Sequence, residues 1–443
     1  MSTRLPRRRF LQAAATGAFL ATRLEADLPD NQAPVAPSDR LRFGMIGVGM
    51  QGSGLLGSAI SLPGIECVGA ADLWDGRHTL AREITNNPNL PTTRHYQELF
   101  DRKDIDCLIA AVPDHWHRRV VVDACRAGKD IYCEKPMSHT IPDGFAMVEA
   151  AHTNNRVVQI GSQRVSSVLC AKARQLYQDG AIGNVEFVEL TMGRNDPNGA
   201  WVYPPPDVTP QTLDWDTWLN DAPKIAFDPV RFARWRCWRE YGTGVGGDLM
   251  VHLLSGMLYT LGWNEPPQSA AALGGIFRFH DGRNMPDVHL VLFDYHGVPV
   301  YVRLDLCSAS AETARFYGPN GVLEATGGEL RHYPQRGVDT SPSYYSGGFP
   351  AQEREQYVRQ WHAEHAIPPG KETVMQSAVF QSDDWDDLRP HLWNFFRAVK
   401  TRGTVAEDAV FGHHAAIACH MANESYFRKA AVHWDDASHN IRV

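Results

Sequence analysis

The sequence has no apolar run long enough to span a bilayer as a mature helix, no basic block and no CxxC pair. Each absence removes a class of protein. Eight cysteines, at 67, 107, 125, 133, 170, 237, 307 and 419, are scattered and lie mostly in apolar runs typical of buried thiols. Neither a zinc site nor a disulfide framework follows from that spacing, and no metal is expected. The net charge is −8, with acids and bases interspersed. That balance argues against a nucleic-acid partner and gives no reason to expect an anionic membrane surface. Internal repeats and a Ser-His-Asp hydrolase order are also missing. Small neutral or polar ligands remain, in a chain of 443 residues that is long enough for two or three domains with sizeable cores.

The first 26 residues read as a segment outside the fold. Arg7, Arg8, Arg9, Phe10 and Leu11 precede an Ala-rich apolar run at 11–21, a pattern that resembles a twin-arginine export signal. Export to the periplasm is the expectation; a cytoplasmic protein is the alternative if this is only a basic amphipathic start. No membrane anchor is expected in the mature protein. Residues 27–38, rich in proline, read as linker.

A short strand at 41–46 runs into Gly47-Val48-Gly49-Met50-Gln51-Gly52 and then a helix at 55–60, so GxGxxG stands in strand–turn–helix context. Glycines there permit a tight turn and let backbone N–H groups approach a pyrophosphate. A second strand, 66–71, ends at Asp72, about 20 residues beyond the last glycine, where a carboxylate can hold an adenosine ribose. Asp72 would repel a 2′-phosphate, so NAD is expected over NADP, although Arg77 lies close by. A third, nearly continuous apolar strand at 105–112 ends in Pro113-Asp114-His115-Trp116-His117. Read alone, the two histidines are equally well surface residues of a loop. After a helix at 118–127, the strand beginning at Asp130 delivers Glu134-Lys135-Pro136 to its carboxyl end, the place in an open parallel sheet where cofactor and substrate meet. One more strand, 157–160, leads to Gln163.

Further on, Gly242 to Gly247 precede Asp248, and an apolar helix at 249–261 places Asp248 and His252 one above the other on one face. The glycines would leave room for backbone to approach a ligand. Alone, that pair is equally a capping Asp and a satisfied core His.

Together, the glycine turn with Asp72, the loop 112–117, Glu134-Lys135-Pro136 and the Asp-His pair resemble the Gfo/Idh/MocA family of nicotinamide oxidoreductases, over roughly residues 41–430. The resemblance implies Lys135, Asp248 and His252 as catalytic residues. It also implies a cofactor-binding set of Gly47, Gly49, Met50, Gln51, Gly52, Asp72, Arg77, Val112, Pro113, His115, His117, Glu134, Lys135 and Gln163. The expected fold is an α/β Rossmann domain with a doubly wound parallel sheet (39–165), then an α+β domain on a large, mostly antiparallel sheet (166–380). C-terminal helices (381–443) would pack back on the first domain. Copies of the chain are expected to associate through the large sheet.

The expected strands at 184–192, 271–279, 288–295, 298–306, 314–317 and 322–326 alternate or are bounded by Gly-containing turns. Residues 334–380 show no period. Among Trp201, Tyr203, Trp215, Trp218, Trp235 and Trp238, interleaved with arginines 231, 234, 236 and 239, most are expected in the core and one or two at a ligand. The activity implied is hydride transfer at a secondary alcohol of a carbohydrate, with NAD held tightly if the protein is exported. The alternatives are a glycoside hydrolase or lyase with transient oxidation at C3, and a non-catalytic dinucleotide-binding protein; the Lys, Asp and His argue against the last.

Overall fold

The computed structural model describes residues 21–23, 28, 36, 39–335, 342, 344–365, 377–382 and 388–443. The arginine pair and apolar run of the expected leader lie outside the described residues up to position 20. Ala21–Arg23, expected to stand outside the fold, instead forms an edge strand, β1.

The first sheet has six strands: β2 (Leu41–Ile46), β3 (Ile65–Ala71), β4 (Thr92–Thr93), β5 (Cys107–Ala110), β6 (Asp130–Glu134) and β7 (Val158–Gly161). Their order is β4-β3-β2-β5-β6-β7, parallel throughout, so the chain reverses direction across the sheet between β2 and β5. Strand periodicity sorts the side chains into two cores. Phe43, Met45, Cys107 and Ile109 face one side, with Leu55 and Leu56 of the helix Met50–Ile60. Ile46, Leu108, Ala110 and Ile131 face the other, with Val120 and Val121 of His117–Arg126. The helix Leu388–Thr401 completes the first core with Leu392, Phe395 and Phe396. Burying such a side chain stabilises by roughly 1.5–3 kcal/mol.

The second sheet contains β1, β8 (Phe187–Gly193), β9 (Ser269–Gly275), β10 (Val288–Tyr295), β11 (Val298–Asp305), β12 (Ser310–Gly318), β13 (Gly321–Thr326), β14 (Glu329–Pro334), β15 (Ala378–Gln381), β16 (Val432–Asp435) and β17 (Asn440–Arg442). These eleven strands run β1-β15-β14-β13-β12-β8-β11-β10-β9-β16-β17. Only β1–β15 and β8–β11 pair in parallel. Val188, Leu190, Val291, Phe293, Val300, Val302, Phe316, Leu323 and Leu330 share one core with the helix Met250–Leu261 and with Ala409–Arg428. The helix Met250–Leu261 stops at Gly262, whose φ of 72° is left-handed.

Three further departures from the sequence expectation have local causes. β16 and β17 follow the C-terminal helices and join the large sheet beside β9, because Val432 and His433 pair with Ala270 and Ser269. The helix Ala351–Glu364 lies in the stretch with no period; none of its residues is buried, so it has no apolar stripe to reveal it. The strand expected at 105–112 shrinks to Cys107–Ala110, since Ala111 N–H leaves the ladder with a last bond to the Ile46 carbonyl.

Candidate active site

A cleft of about 590 Å³ opens beyond the carboxyl ends of β2, β3, β5 and β6, where the strand order reverses, and the second domain forms its far wall. Gly47 has φ of +80°, and a side chain there would press on the Ala111 carbonyl. A Cβ at Gly52 would collide with the Gly47 carbonyl oxygen, whereas nothing lies within 4 Å of one at Gly49. Gly52 is therefore fixed by packing and does not line the cleft; Gly47, Gly49, Met50 and Gln51 do. The helix Met50–Ile60 carries no side-chain cap at Gly49, so its first N–H groups face the cleft as a ready anion cradle. This donor arrangement fits a dinucleotide pyrophosphate.

Asp72 lines the same wall with Arg77. Its Oδ2 accepts from Val48 N–H at 2.8 Å and its Oδ1 from Trp74 N–H at 3.0 Å, tying the end of β3 to the glycine turn. Burial lifts its pKa above the usual carboxylate value, opposed by these two donors. Arg77 stacks over Trp74 at 4.7 Å.

Glu134 is buried at the cleft floor, lined also by Val112, Pro113 and Gln163. Its Oε1 accepts from Gln51 Nε2 at 3.0 Å and Gln163 Nε2 at 2.9 Å, and its Oε2 from Lys135 N–H at 3.2 Å. Burial raises its pKa, and these partners and the Lys135 charge oppose the rise. Glu134 thus orients three neighbours along the cofactor wall.

The two histidines that follow β5 sit elsewhere, outside the cleft lining. His115 lies with Nε2 2.9 Å from the Trp218 carbonyl and Nδ1 3.2 Å from that of Tyr241, joining the two domains. Burial brings its pKa down to about 4. His117 is buried between the carbonyls of Pro136, at 2.8 Å, and Val112, at 2.9 Å. Burial disfavours its charged form, but Cys133, Asp114 and the Pro136 carbonyl outweigh it and lift the pKa to about 10. As an imidazolium it donates to both carbonyls and clamps the loop after β5 to the loop after β6.

Lys135 meets Asp248 across the domain boundary: Nζ donates to Oδ1 at 3.0 Å and to the Asp248 carbonyl at 2.8 Å. Arg236 Nε donates to the same Oδ1 at 2.9 Å. Burial pushes the Asp248 carboxyl up, yet the two cations hold it well below the usual range. His252 lines the cleft beside them, and its ring makes no hydrogen bond among the described residues. Burial, then the charges of Lys135 and Arg164, push its pKa well down, so the ring is neutral. The helix expected to carry both residues is broken at Leu249: Asp248 ends the turn Gly244–Asp248, and His252 lies in the first turn of Met250–Leu261.

The glycines before Asp248 serve packing against protein, not the approach to a ligand expected of them. A Cβ at Gly247 would strike the Thr243 hydroxyl and approach Pro136 Cγ to 3.2 Å, and one at Gly246 would meet Asn423 Oδ1 at 2.6 Å. The Lys135–Pro136 peptide is cis. Of the aromatic group, Trp215, Trp218, Trp201 and Trp238 are buried, while Trp201, Tyr203, Trp218 and Trp235 reach the cleft. Arg236 and Arg194 also line it, and sequence reasoning missed both. The run of arginines was visible, but only the folded loop sorts Arg236, at Asp248, from Arg231, at Glu240, and Arg239, at Glu424.

The family described as oxidoreductases with an NAD-binding Rossmann fold matches residues 41–162, and the GFO/IDH/MocA C-terminal domain matches residues 170–324. A glycosyl hydrolase family 109 protein of Saccharopolyspora erythraea is 25% identical over 220 residues, covering 48% of this chain and 42% of its own. The inositol 2-dehydrogenase of Salmonella typhimurium is 31% identical over 145 residues, covering 32% and 43%. The chain thus spans about half or less of the length of such relatives. Levoglucosan dehydrogenase, solved with NADH and levoglucosan, superposes with a TM-score of 0.63 at 18% identity, over 89% of this chain and 99% of that one. The aldose-aldose oxidoreductase of Caulobacter crescentus, solved with glycerol, gives 0.62 at 19% identity over the same shares.

Proposed function

The chain belongs to the Gfo/Idh/MocA family of oxidoreductases with an NAD-binding Rossmann domain, and we propose that it moves hydride reversibly between NAD and a secondary alcohol of a sugar, polyol or related carbohydrate. The observation that carries this reading is the meeting of Lys135, Asp248 and His252 in one cleft with the glycine turn. Bound nicotinamide supplies the hydride acceptor or donor. The protein handles the proton. Neutral His252 takes it from the reacting hydroxyl, Asp248 holds that hydroxyl in line, and the Lys135 ammonium steadies the oxygen as it gains charge.

The test is absorbance at 340 nm with NAD and a panel of sugars, polyols and aryl glycosides. NADH formation with a sugar or polyol supports the reading. No NADH and no glycoside cleavage across the panel would sink it. Cleavage of an aryl glycoside with NAD returned unchanged would instead favour transient oxidation at C3 followed by hydride return. The similarity to glycosyl hydrolase family 109 proteins supports keeping that second reading.

The arginines at 7–9 and the apolar run behind them support a twin-arginine leader. An exported enzyme meets little free NAD, so the cofactor is held through turnover and regenerated in place. Denaturing protein purified without added cofactor and weighing the released NAD tests this; near-stoichiometric NAD is expected. The outer face of the large sheet, where Leu273 is 77% and Leu292 50% exposed, supports contact between copies. Leu273→Lys with Leu292→Lys should lower the mass measured by light scattering.

A further inference from the structure

Arg194 follows the last residue of β8, and its backbone N–H donates to the Asp305 carbonyl at 2.9 Å, fixing it at the end of the sheet. Its guanidinium lines the cleft, where its one hydrogen bond among the described residues is a 3.3 Å contact to the Gly199 carbonyl. Asp196, on the same loop, turns its Oδ1 to Gly199 N–H at 2.7 Å and forms no ion pair with it. Arg236 stacks over Trp235 at 4.2 Å and gives Nε to Asp248, leaving its terminal nitrogens unbonded among the described residues.

Neighbouring arginines differ. Arg231 faces Glu240 at 3.6 Å, Arg234 faces Asp281 at 3.7 Å, Arg239 faces Glu424 at 2.6 Å, and Arg283 faces Asp281 at 2.8 Å. In the substrate half of the cleft the lining supplies one carboxylate, Asp248, against Lys135, Arg236 and Arg194. His252 is neutral there. Asp114 lies behind the wall, holding Thr243 and matched by the His117 imidazolium, and Glu312 is taken by Arg164 at 3.0 Å. With Glu134 beside Lys135, and Asp248 shared by Lys135 and Arg236, the positive charge left without a counter-charge in this partly desolvated site is that of Arg194. Guanidinium forks match carboxylate and phosphate oxygens, and Trp201, Tyr203 and Trp235 add flat faces for a ring.

We propose that Arg194 and Arg236 form an oxyanion subsite and that the substrate is an acidic sugar, with its carboxylate or phosphate seated between them. The proposal rests on the oxidoreductase reading and narrows it. A neutral polyol would leave Arg194 without a counter-ion and the terminal nitrogens of Arg236 without a charged acceptor.

Calorimetric titration of the NAD-saturated protein with glucuronate, galacturonate, glucose 6-phosphate and glucose tests it. At least one acid should bind tenfold or more tightly than glucose, and Arg194→Met should weaken that acid about ten- to hundredfold, closing most of the gap to glucose. Preference for the phosphate over the uronates assigns the anion as phosphoryl, and the reverse assigns it as carboxylate. Acids that bind no more tightly than glucose, or an Arg194→Met protein that keeps the preference, overturn the subsite. NADH fluorescence on the same sample separates the two readings: acid binding without nicotinamide binding keeps the subsite and removes the oxidoreductase.

Discussion

Lys135 and Asp248 come from different domains, yet Nζ stands 3.0 Å from Oδ1 and 2.8 Å from the carbonyl of the same residue. One ammonium therefore fixes both the charge of the carboxylate and the height of the turn that carries it. The pair ties the nucleotide-binding wall to the substrate wall.

Asp248→Asn removes the anion that Lys135 and Arg236 share. Turnover should fall by about 10²–10⁴-fold. NADH fluorescence should show cofactor binding little altered, because Asp248 lies on the second domain. An Asn variant with ordinary turnover would show the carboxylate to be structural.

The pH profile follows from His252, whose pKa lies well below 6.5 in the folded protein. The neutral ring is the active form, so kcat/KM should be level from about pH 6.5 to 8 and decline only further into acid. An acid limb centred on pH 6.5 or above would contradict the assignment. His252→Gln should depress turnover at every pH and remove that limb.

Stability should also fall in acid. Burial holds His115 and His391 at about 4, and His413 and His420 at about 3. In the unfolded chain such groups titrate near 6.5. Between those limits the unfolded chain binds more protons, so stability drops as pH falls, by up to about 3 kcal/mol for one such histidine. Glu407 and Glu134, raised by burial, oppose the trend because they take up protons while folded. His117, raised to about 10, acts at the other end: its contribution is fully present below its unfolded value and is lost as pH rises through 10. Urea midpoints at pH 7 and 4.5 check the sum; a midpoint no lower at pH 4.5 would show that the raised acids prevail.

Asp72→Ala should weaken NAD more than NADP, since a carboxylate placed to meet a ribose hydroxyl would also repel a 2′-phosphate. Titrating both cofactors against both proteins measures it. Equal affinity of the unmutated protein for the two would remove the argument. Loss of the Val48 and Trp74 anchors should also soften the glycine turn.

Gly247→Ala drives a methyl into Thr243, whose hydroxyl is already committed to Asp114 at 2.7 Å. Overpacking of this kind costs about 1–3 kcal/mol. Thermal unfolding should register the loss, and turnover should fall with it because Asp248 is the next residue.

The glycine turn and the strand-end Lys135 were legible in the sequence because both depend on a few consecutive residues. The buried parallel strand at 105–112 was legible for the same reason, as a short and nearly continuous apolar run. His115 and His117 were not, because their partners are the carbonyls of Trp218, Tyr241, Pro136 and Val112, and mostly distant backbone decides whether a histidine is a ligand or a clamp. Arg236 was visible only as one arginine among several. β16 is too short to announce itself, and its pairing depends on the edge left open by β9.

The place of β8 sets the order in which the molecule can assemble. Val188 pairs with Val300 on one side and Phe316 on the other, so both partners of the central strand emerge from the ribosome more than a hundred residues after it. Every parallel strand of the first domain, by contrast, has been synthesised by Gly161. The nucleotide-binding sheet can therefore collapse early, while β8 waits. Contacts this distant in sequence slow folding, because loop closure must precede any gain. The last strands, β16 and β17, and the helix Leu388–Thr401 that seals the first domain are made last. The native state is thus reached only after these segments are made, and removing residues 388–443 should damage both sheets at once.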